Sequence, residues 1–301
     1  MQMFIKAAEV WQPDAADARL KLAAGHYGTG VEAFQTSSES MSFGCGEGLP
    51  GQSWAEGRPL IWTELNDGNF LRAAAADEAG IACGVAVPVF AGEFLQAVLV
   101  LFCGKGDEIA GAVEVWSNPA GSDTELKLVA GYYGELERFE WVSRRLTLMR
   151  GRGLPGGAWA AGKPLIIGDL GASDAFLRSR NAAESGITTG LAVPLPEVGG
   201  NVQILTLLSA KGTPIARRFE VWAPSEDHSV LVFESGYDEA GSDLAERYRG
   251  VSVSKGEGPL GAAWLTGKPA ISATGDPANE MSILLPVLDA GRLQSIVALG
   301  L

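Results

Sequence analysis

Three stretches of this chain read as copies of one another: GLPGQSWAEGRPLI at residues 48–61, GLPGGAWAAGKPLI at 153–166 and GPLGAAWLTGKPAI at 258–271. Their tryptophans, Trp54, Trp159 and Trp264, are spaced by 105 residues each time. Upstream of each lies Glu-Val-Trp, at residues 9–11, 114–116 and 220–222. Downstream lies GIACGVAVPV at 80–89 and GITTGLAVPL at 186–195, answered in the last copy by SILLPVL at 282–288. A period near 105 far exceeds the roughly 20–50 residues of a solenoid unit, so each copy reads as a small domain. The boundaries fall near Gly104 and Gly212, which gives copies over residues 1–105, 106–211 and 212–301.

The second copy carries the local signals most clearly. Residues 113–116 and 126–130 are β-rich and separated by SNPAGSDTE, a turn-forming stretch, so they predict a strand pair. Residues 140–149 read as another strand. The quoted block predicts a short helix over 155–161, closed by Gly162 and stopped by Pro164. Residues 165–169 read as a short strand, 175–185 as a helix ended by Gly186, and 190–195 and 203–209 as two more strands. Such a mixture predicts an α+β unit with an antiparallel sheet. Residues 94–103 and 204–208 are nearly continuous apolar runs, the pattern of strands covered on both faces.

With 47% apolar and 20% charged residues over 301 positions, the chain can bury real cores. A net charge of −13 without any basic stripe excludes nucleic acid and anionic membrane surfaces as expected partners. The longest wholly apolar run, residues 97–103, is far below the roughly 18–20 residues of a membrane helix. Residues 1–11 hold one lysine and no long apolar segment, so no secretory signal is read. Three cysteines, an odd number, point to a reduced, cytoplasmic chain.

Several motifs invite chemistry. Gly46-x-Gly48-x-x-Gly51, Gly151-x-Gly153-x-x-Gly156 and Gly256-x-Gly258-x-x-Gly261 match a dinucleotide-binding spacing. The helix that follows is too short for a parallel crossover, and Pro50 and Pro155 remove backbone donors, so these read as turns. Residues 157–163 half-resemble a phosphate loop, but Pro164 stands where Ser or Thr would hold magnesium. His26 and His228 lie in different copies without counterparts, and no metal set or triad is read from them. Aligned on the second copy, Cys45 matches Arg150, Cys83 matches Thr189 and Cys103 matches Ser209, which reads as small buried or turn positions. The six repeated tryptophans read first as core, with Trp54 and Trp159 alternatively walling a pocket. Arg72 and Arg178 each follow Phe-Leu. They read either as helix residues ion-paired to the nearby Glu78 and Glu184, or as forks gripping an anionic ligand group.

Taken in order, Glu-Val-Trp, Gly-x-Gly-Leu-Pro-Gly-x-x-Trp-x-x-Gly-(Arg/Lys)-Pro, Phe-Leu-Arg and Gly-Ile-x-x-Gly-x-Ala-Val-Pro resemble the blocks of GAF domains, small-molecule sensor modules of bacterial signalling proteins. The resemblance covers nearly all of copies one and two and about two thirds of copy three. It implies an antiparallel sheet with a ligand pocket on one face, roofed by the short helices and loops after Gly-Leu-Pro-Gly. Two departures matter. GAF domains begin and end with helices that cover the opposite sheet face, yet only residues 104–112 separate copy one from copy two. The back faces are therefore expected to be covered by other copies in the chain or by a partner chain. Second, Trp54 to Pro88 and Trp159 to Pro194 span 34 and 35 residues, but Trp264 to Pro286 only 22. The missing piece is the Phe-Leu-Arg segment, so the third copy is expected to be reduced, to lack the pocket roof and to act as a structural or docking repeat.

The sequence thus predicts three tandem GAF-like α+β repeats, each an antiparallel sheet with short helices on one face. The expected function is a non-catalytic small-molecule sensor or regulator of signal transduction, working through ligand-dependent rearrangement of domains or subunits. Its ligand-binding residues would be Trp54, Phe70, Arg72 and Cys83 in the first copy, and Trp159, Phe176, Arg178 and Thr189 in the second. No catalytic residue, metal or cofactor is assigned, and the small molecule is unidentified. A homodimer or a signalling partner protein is expected; nucleic acid and membrane are not. A ligand-free interaction scaffold is the alternative, and it predicts filled pockets in all three copies. A cysteine enzyme similar to free methionine sulfoxide reductases, which use a GAF scaffold, is a further alternative. Cys83, five residues before Pro88, departs from their cysteine placement. The Cys-His pair of bilin-binding GAF domains and the Asn-Lys and Phe-x3-Asp-Glu pattern of cyclic-nucleotide GAF domains are both missing.

Overall fold

Alternation along Glu-Val-Trp decides how each repeat begins: the glutamate and tryptophan share one face of a strand and the valine takes the other. The computed structural model describes residues 3–66, 68–106, 109–119, 122–273 and 281–301. In the first repeat the order is β1 (Ile5–Pro13), β2 (Leu20–Tyr27), α1 (Glu32–Glu39), β3 (Ser42–Phe43), α2 (Gly48–Glu56), β4 (Leu60–Trp62), α3 (Ala73–Glu78), β5 (Ile81–Ala91) and β6 (Phe94–Gly104). The second continues with β7 (Gly111–Ser117), β8 (Glu125–Tyr132), α4 (Glu137–Ser143), β9 (Thr147–Met149), α5 (Gly153–Ala161), β10 (Leu165–Ile167), α6 (Ser179–Glu184), β11 (Ile187–Val198) and β12 (Asn201–Ala210). The third has β13 (Arg218–Pro224), β14 (Val230–Asp238), α7 (Leu244–Arg247), β15 (Ser252–Ser254), α8 (Gly258–Thr266), β16 (Ala270–Ala273), β17 (Met281–Asp289) and β18 (Arg292–Gly300).

Each repeat folds into one six-stranded antiparallel sheet with a single topology: β3-β2-β1-β6-β5-β4, and likewise β9-β8-β7-β12-β11-β10 and β15-β14-β13-β18-β17-β16. Even irregularities recur. The first strand of each repeat meets a bulge beside its tryptophan, where the register shifts at Val10/Trp11, Val115/Trp116 and Val221/Trp222. The Gly-x-Gly-x-x-Gly turns are structural. Gly48, Gly153 and Gly258 sit at positive φ, and a Cβ on Gly51, Gly156 or Gly261 would fall 2.1–2.2 Å from a backbone oxygen. The helices that follow end on Gly57, Gly162 and Gly267 in the left-handed conformation.

Two sequence expectations change here. Residues 140–149 are not one strand: α4 takes residues 137–143 and β9 only 147–149. Phe139 and Ser143, four residues apart, bury together on one helical face while Trp141 and Arg144 stay outside, a helical rather than an alternating pattern. The helix expected over 175–185 is shorter, because Phe176 and Arg178 turn inward before α6 begins.

The third repeat is not reduced in its sheet, which has all six strands. Its shortening is confined to the link between β16 and β17. There Ala273 and Met281 bracket seven residues, against eighteen between Trp62 and Ile81. The counterpart of α3 and α6 is missing among the described residues.

The back faces are covered inside the chain. Val10, Val85, Leu99 and Leu101 of repeat one, Val113, Val115, Leu191 and Leu205 of repeat two, and Phe219, Ile283, Leu285 and Val297 of repeat three form one central core. The arrangement closes on itself: β4 lies against β8, β10 against β14 and β16 against β2, so each repeat touches the next and the third returns to the first. Polar contacts follow the same circuit. Lys163 pairs with Glu234 across the second junction, and Lys268 Nζ donates to Gln12 Oε1 at 3.1 Å across the third. The links between repeats are also tied, with Phe4 N–H donating to the Pro214 carbonyl and Tyr132 Oη to the Gly104 carbonyl.

Candidate functional site

On the helix-covered face of each sheet, Glu and Trp of Glu-Val-Trp build the same floor. Glu9, Glu114 and Glu220 are all buried, and each accepts a hydrogen bond from its tryptophan: Trp11 Nε1 at 2.8 Å, Trp116 Nε1 at 2.9 Å and Trp222 Nε1 at 2.8 Å. A tyrosine hydroxyl donates to the other carboxylate oxygen, from Tyr27, Tyr133 and Tyr248 at 3.0, 2.9 and 2.8 Å. Burial and the adjacent carboxylate push all three phenols above their ordinary range, Tyr248 to about 12.

A buried carboxylate needs a matching positive charge. In repeat one, Arg72 Nη1 lies 2.7 Å from Glu9 Oε1 and also donates to Ser38. In repeat two, Arg178 is bidentate: Nη1 and Nη2 reach the two oxygens of Glu114, the latter at 2.8 Å, and Nη1 also donates to Ser143 at 2.5 Å. Each serine hydroxyl in turn donates a hydrogen bond to the carbonyl four residues back, at Phe34 and Phe139. The two guanidinium groups differ in how they are completed. Arg72 Nε and Nη2 have no acceptor, but five rings, those of Phe34, Phe102, Phe70, Trp11 and Phe43, stand 4.4–5.9 Å from Cζ. Arg178 has three rings, of Phe139, Phe176 and Trp116.

Arg72 and Arg178 therefore fill their own floors. Their partners are Glu9 and Glu114, not the Glu78 and Glu184 suggested by sequence proximity; Glu184 pairs instead with Arg138 and Arg180. Phe70 and Phe176 join the same buried clusters as these arginines, and Trp54 and Trp159 pack half-buried against them, Trp159 beneath Arg150. Cys83 and Thr189 are placed elsewhere. Gly84 and Gly190 face the floor clusters, so alternation sends Cys83 into the central core, opposite Cys103. Thr189 stands at the matching position, opposite Ser209, with its hydroxyl 3.4 Å from the Gly168 carbonyl. Burial and the neighbouring Cys103 push the Cys83 thiol upward, away from a reactive thiolate. Cys45 is exposed. Among the described residues no cluster suited to a metal ion occurs, and no helix is long and apolar enough to cross a membrane.

The third floor is different. The arm that would bring a Phe-Leu-Arg is missing, and Glu220 is matched instead by Arg218, two residues earlier on the same strand, with Nε 2.7 Å from Oε1. Ala7 and Ala112 occupy that position in the other repeats. Three further exchanges accompany it. Phe102 and Leu208, which pair across from those alanines, become Gly300, where a Cβ would meet Arg218 at 3.2 Å. Gly84 and Gly190 become Ser282. The floor-filling Leu49 and Leu154 become Pro259, because Leu and Pro change places in GPLG. The result is a cavity of about 500 Å³ under α8, with Trp222, Val253, Leu260, Leu284 and Ala298 in its wall. Other clefts of similar volume lie between repeats or at the rim of the first arm, away from a Glu-Trp floor.

Sequence reasoning missed Glu9, Glu114, Glu220 and Arg218. The signal was an acidic residue two before the core tryptophan in a buried strand, repeated three times, with Arg replacing Ala only where the arm is deleted.

No protein-family model matches the chain, and no curated protein sequence matches it. Among solved structures it is similar to a free methionine-R-sulfoxide reductase from Neisseria meningitidis in complex with its substrate, with 25% identity and a TM-score of 0.26 over 33% of this chain and 52% of that one. A GAF domain/HD domain protein from Geobacter sulfurreducens gives 16% identity and a TM-score of 0.28 over 35% of this chain and 66% of that one. An NreA protein from Staphylococcus aureus, mutated in its nitrate binding site, gives 20% identity and 0.28 over 36% and 80%. The chain spans about half the length of the reductase it matches, and each likeness extends over about one repeat. Three sheets of one topology, carrying the same blocks in the same order, make this chain a tandem array of three GAF-like repeats.

Proposed function

We propose that the chain is a non-catalytic small-molecule-binding sensor or regulator that takes its ligand in the third repeat. One observation carries this reading: two Glu-Trp floors are filled by the chain's own arginines, and the third is balanced from within its strand and lies under an open cavity. The volume is that of a small-molecule site. A scaffold without ligand would fill all three floors, so the open one speaks against it. The buried, facing Cys83 and Cys103 speak against a cysteine enzyme.

The output would be a change of arrangement. Ser272 and Ala273 of β16 line the cavity, and β16 also lies against β1 and β2 of repeat one. A ligand that favours one placement of β16 would shift the junction between repeats three and one by its differential affinity, presenting an altered surface to a signalling partner or second copy. The test is a ligand-observed NMR screen of small soluble fragments against the wild-type chain and Ala298→Phe, which fills the cavity. Hits that vanish in the filled variant are expected. Hits that persist unchanged would contradict the assignment of the site.

A further inference from the structure

We infer that the chain has a second small-molecule site, a cleft beside the C-terminal end of α8 that takes an organic anion with an apolar body. It lies outside the Glu-Trp floor of repeat three and does not depend on the reading of the cavity there.

Three basic side chains reach this cleft from three separate segments: His228 from the turn between β13 and β14, Lys255 from the turn after β15, and Arg292 from the start of β18. Among the described residues none of the three has a hydrogen-bond or ion-pair partner for its side chain; Lys255 Nζ stands over the Trp264 ring, 5.6 Å from its centre. Among the described residues no acidic side chain lines the cleft. Asp289, across the hairpin from Arg292, lines the neighbouring cleft instead. Asp227, beside His228, folds back on its own turn, where it accepts from the Ser225 and Ser229 hydroxyls at 2.6 and 2.8 Å. In a chain of net charge −13, convergent bases without partners make a local positive field that draws an anion.

The rest of the wall is apolar. Trp264 is half-buried, Leu265 is 60% exposed and Leu288 is buried beside them. The cleft holds about 490 Å³, the size of a small-molecule site. An inorganic anion would leave Leu265 and Trp264 in water, whereas an attached ring covers them while its charged group meets the bases. Ala91 of repeat one completes the wall, so an occupant also touches the junction between repeats three and one.

The equivalent places in the other repeats show what is particular to this one. In repeat two Arg150 stands over Trp159 at 5.1 Å, but Glu197 and Asp289 line the cleft there. In repeat one the position of Arg150 and Lys255 is Cys45. The tryptophan and its helix recur, and only repeat three surrounds them with bases alone.

The test uses fluorine NMR of the full chain labelled with 5-fluorotryptophan, titrated with phenyl phosphate, benzoate, benzyl alcohol, benzylamine and inorganic phosphate. At least one of phenyl phosphate and benzoate is expected to shift the Trp264 resonance saturably and leave Trp222 fixed, and the tighter of the two names the head group. Lys255→Gln and Arg292→Gln, singly and together, alter exposed side chains, and circular dichroism confirms that they fold. The double variant is expected to weaken binding at least about tenfold. Fragments of the cavity screen held in this cleft are recognised by the same loss and set apart from the cavity's own. Binding of benzyl alcohol or benzylamine as tight as that of the anions, or binding unchanged in the double variant, would overturn the anion class. Inorganic phosphate binding as tightly as phenyl phosphate would overturn the apolar body. No shift of Trp264 by either organic anion, or a shift of Trp222 in its place, would overturn the site.

Discussion

A carboxylate with no exposure and its guanidinium partner stand or fall together. Removing Arg178 leaves Glu114 charged, buried and unpaired, which costs about 3–5 kcal/mol. Arg178→Ala is therefore expected to lower urea-unfolding stability by about that amount, whereas Arg180→Ala, on an exposed pair, should change it by no more than about 0.5 kcal/mol. A near-neutral Arg178→Ala would mean that the arm does not lock the second floor. The tyrosines give a pH signature. Tyr27, Tyr133 and Tyr248 have phenols raised above the unfolded value of about 10. Their neutral forms are favoured in the fold, so their contribution is complete below pH of about 10 and is lost as pH rises toward the folded values. Stability should fall above that pH, and ultraviolet titration should show these phenols ionising late. Ionisation near pH 10 without loss of structure would contradict their placement against the floor carboxylates. None of this partnership was legible from spacing, because Arg72 and Glu9 are 63 residues apart and only the closed sheet brings them together.

Short helices after the glycine turns hold the cavity roofs, and their geometry leaves no room for a side chain. A Cβ on Gly156 would stand 2.2 Å from the Met149 carbonyl oxygen. Gly156→Ala is expected to destabilise by several times the roughly 1 kcal/mol expected for Gly162→Ala, where the space is open and only the positive φ is strained. Comparable denaturation midpoints for the two would contradict the close packing of α5 on its turn. This element was well written in the sequence, since Gly162 and Pro164 stop it locally. The strand read at residues 140–149 went astray because β-rich residues there obey a helical burial pattern set by Phe139 and Ser143. The third repeat was misread for a related reason. A deletion counted along the chain suggests a reduced repeat, yet the sheet keeps all six strands, and the Ala-to-Arg218 and Phe-to-Gly300 exchanges that accompany the missing arm lie on strands whose pairing is visible only in the fold.

Across the whole molecule, three sheets share one core, and the near-continuous apolar strands announced that both faces would be covered. The sequence left open whether a partner chain or sister repeats did the covering; the central core takes a share from each repeat. A shared core predicts cooperative unfolding. Leu99→Ala, at the middle of that core, should cost about 2–5 kcal/mol and move one common transition seen by fluorescence and circular dichroism, while resolved separate transitions would contradict the shared core. The central claim, that two floors are locked and one is open, is tested most directly by fluorine NMR of the 5-fluorotryptophan-labelled chain, with resonances assigned by single Trp→Phe variants. On addition of the fragments that bind in the ligand-observed screen, the resonance of Trp222 should shift and those of Trp11 and Trp116 should stay fixed. A shift of Trp11 or Trp116 alongside it, or an unmoved Trp222, would contradict the account.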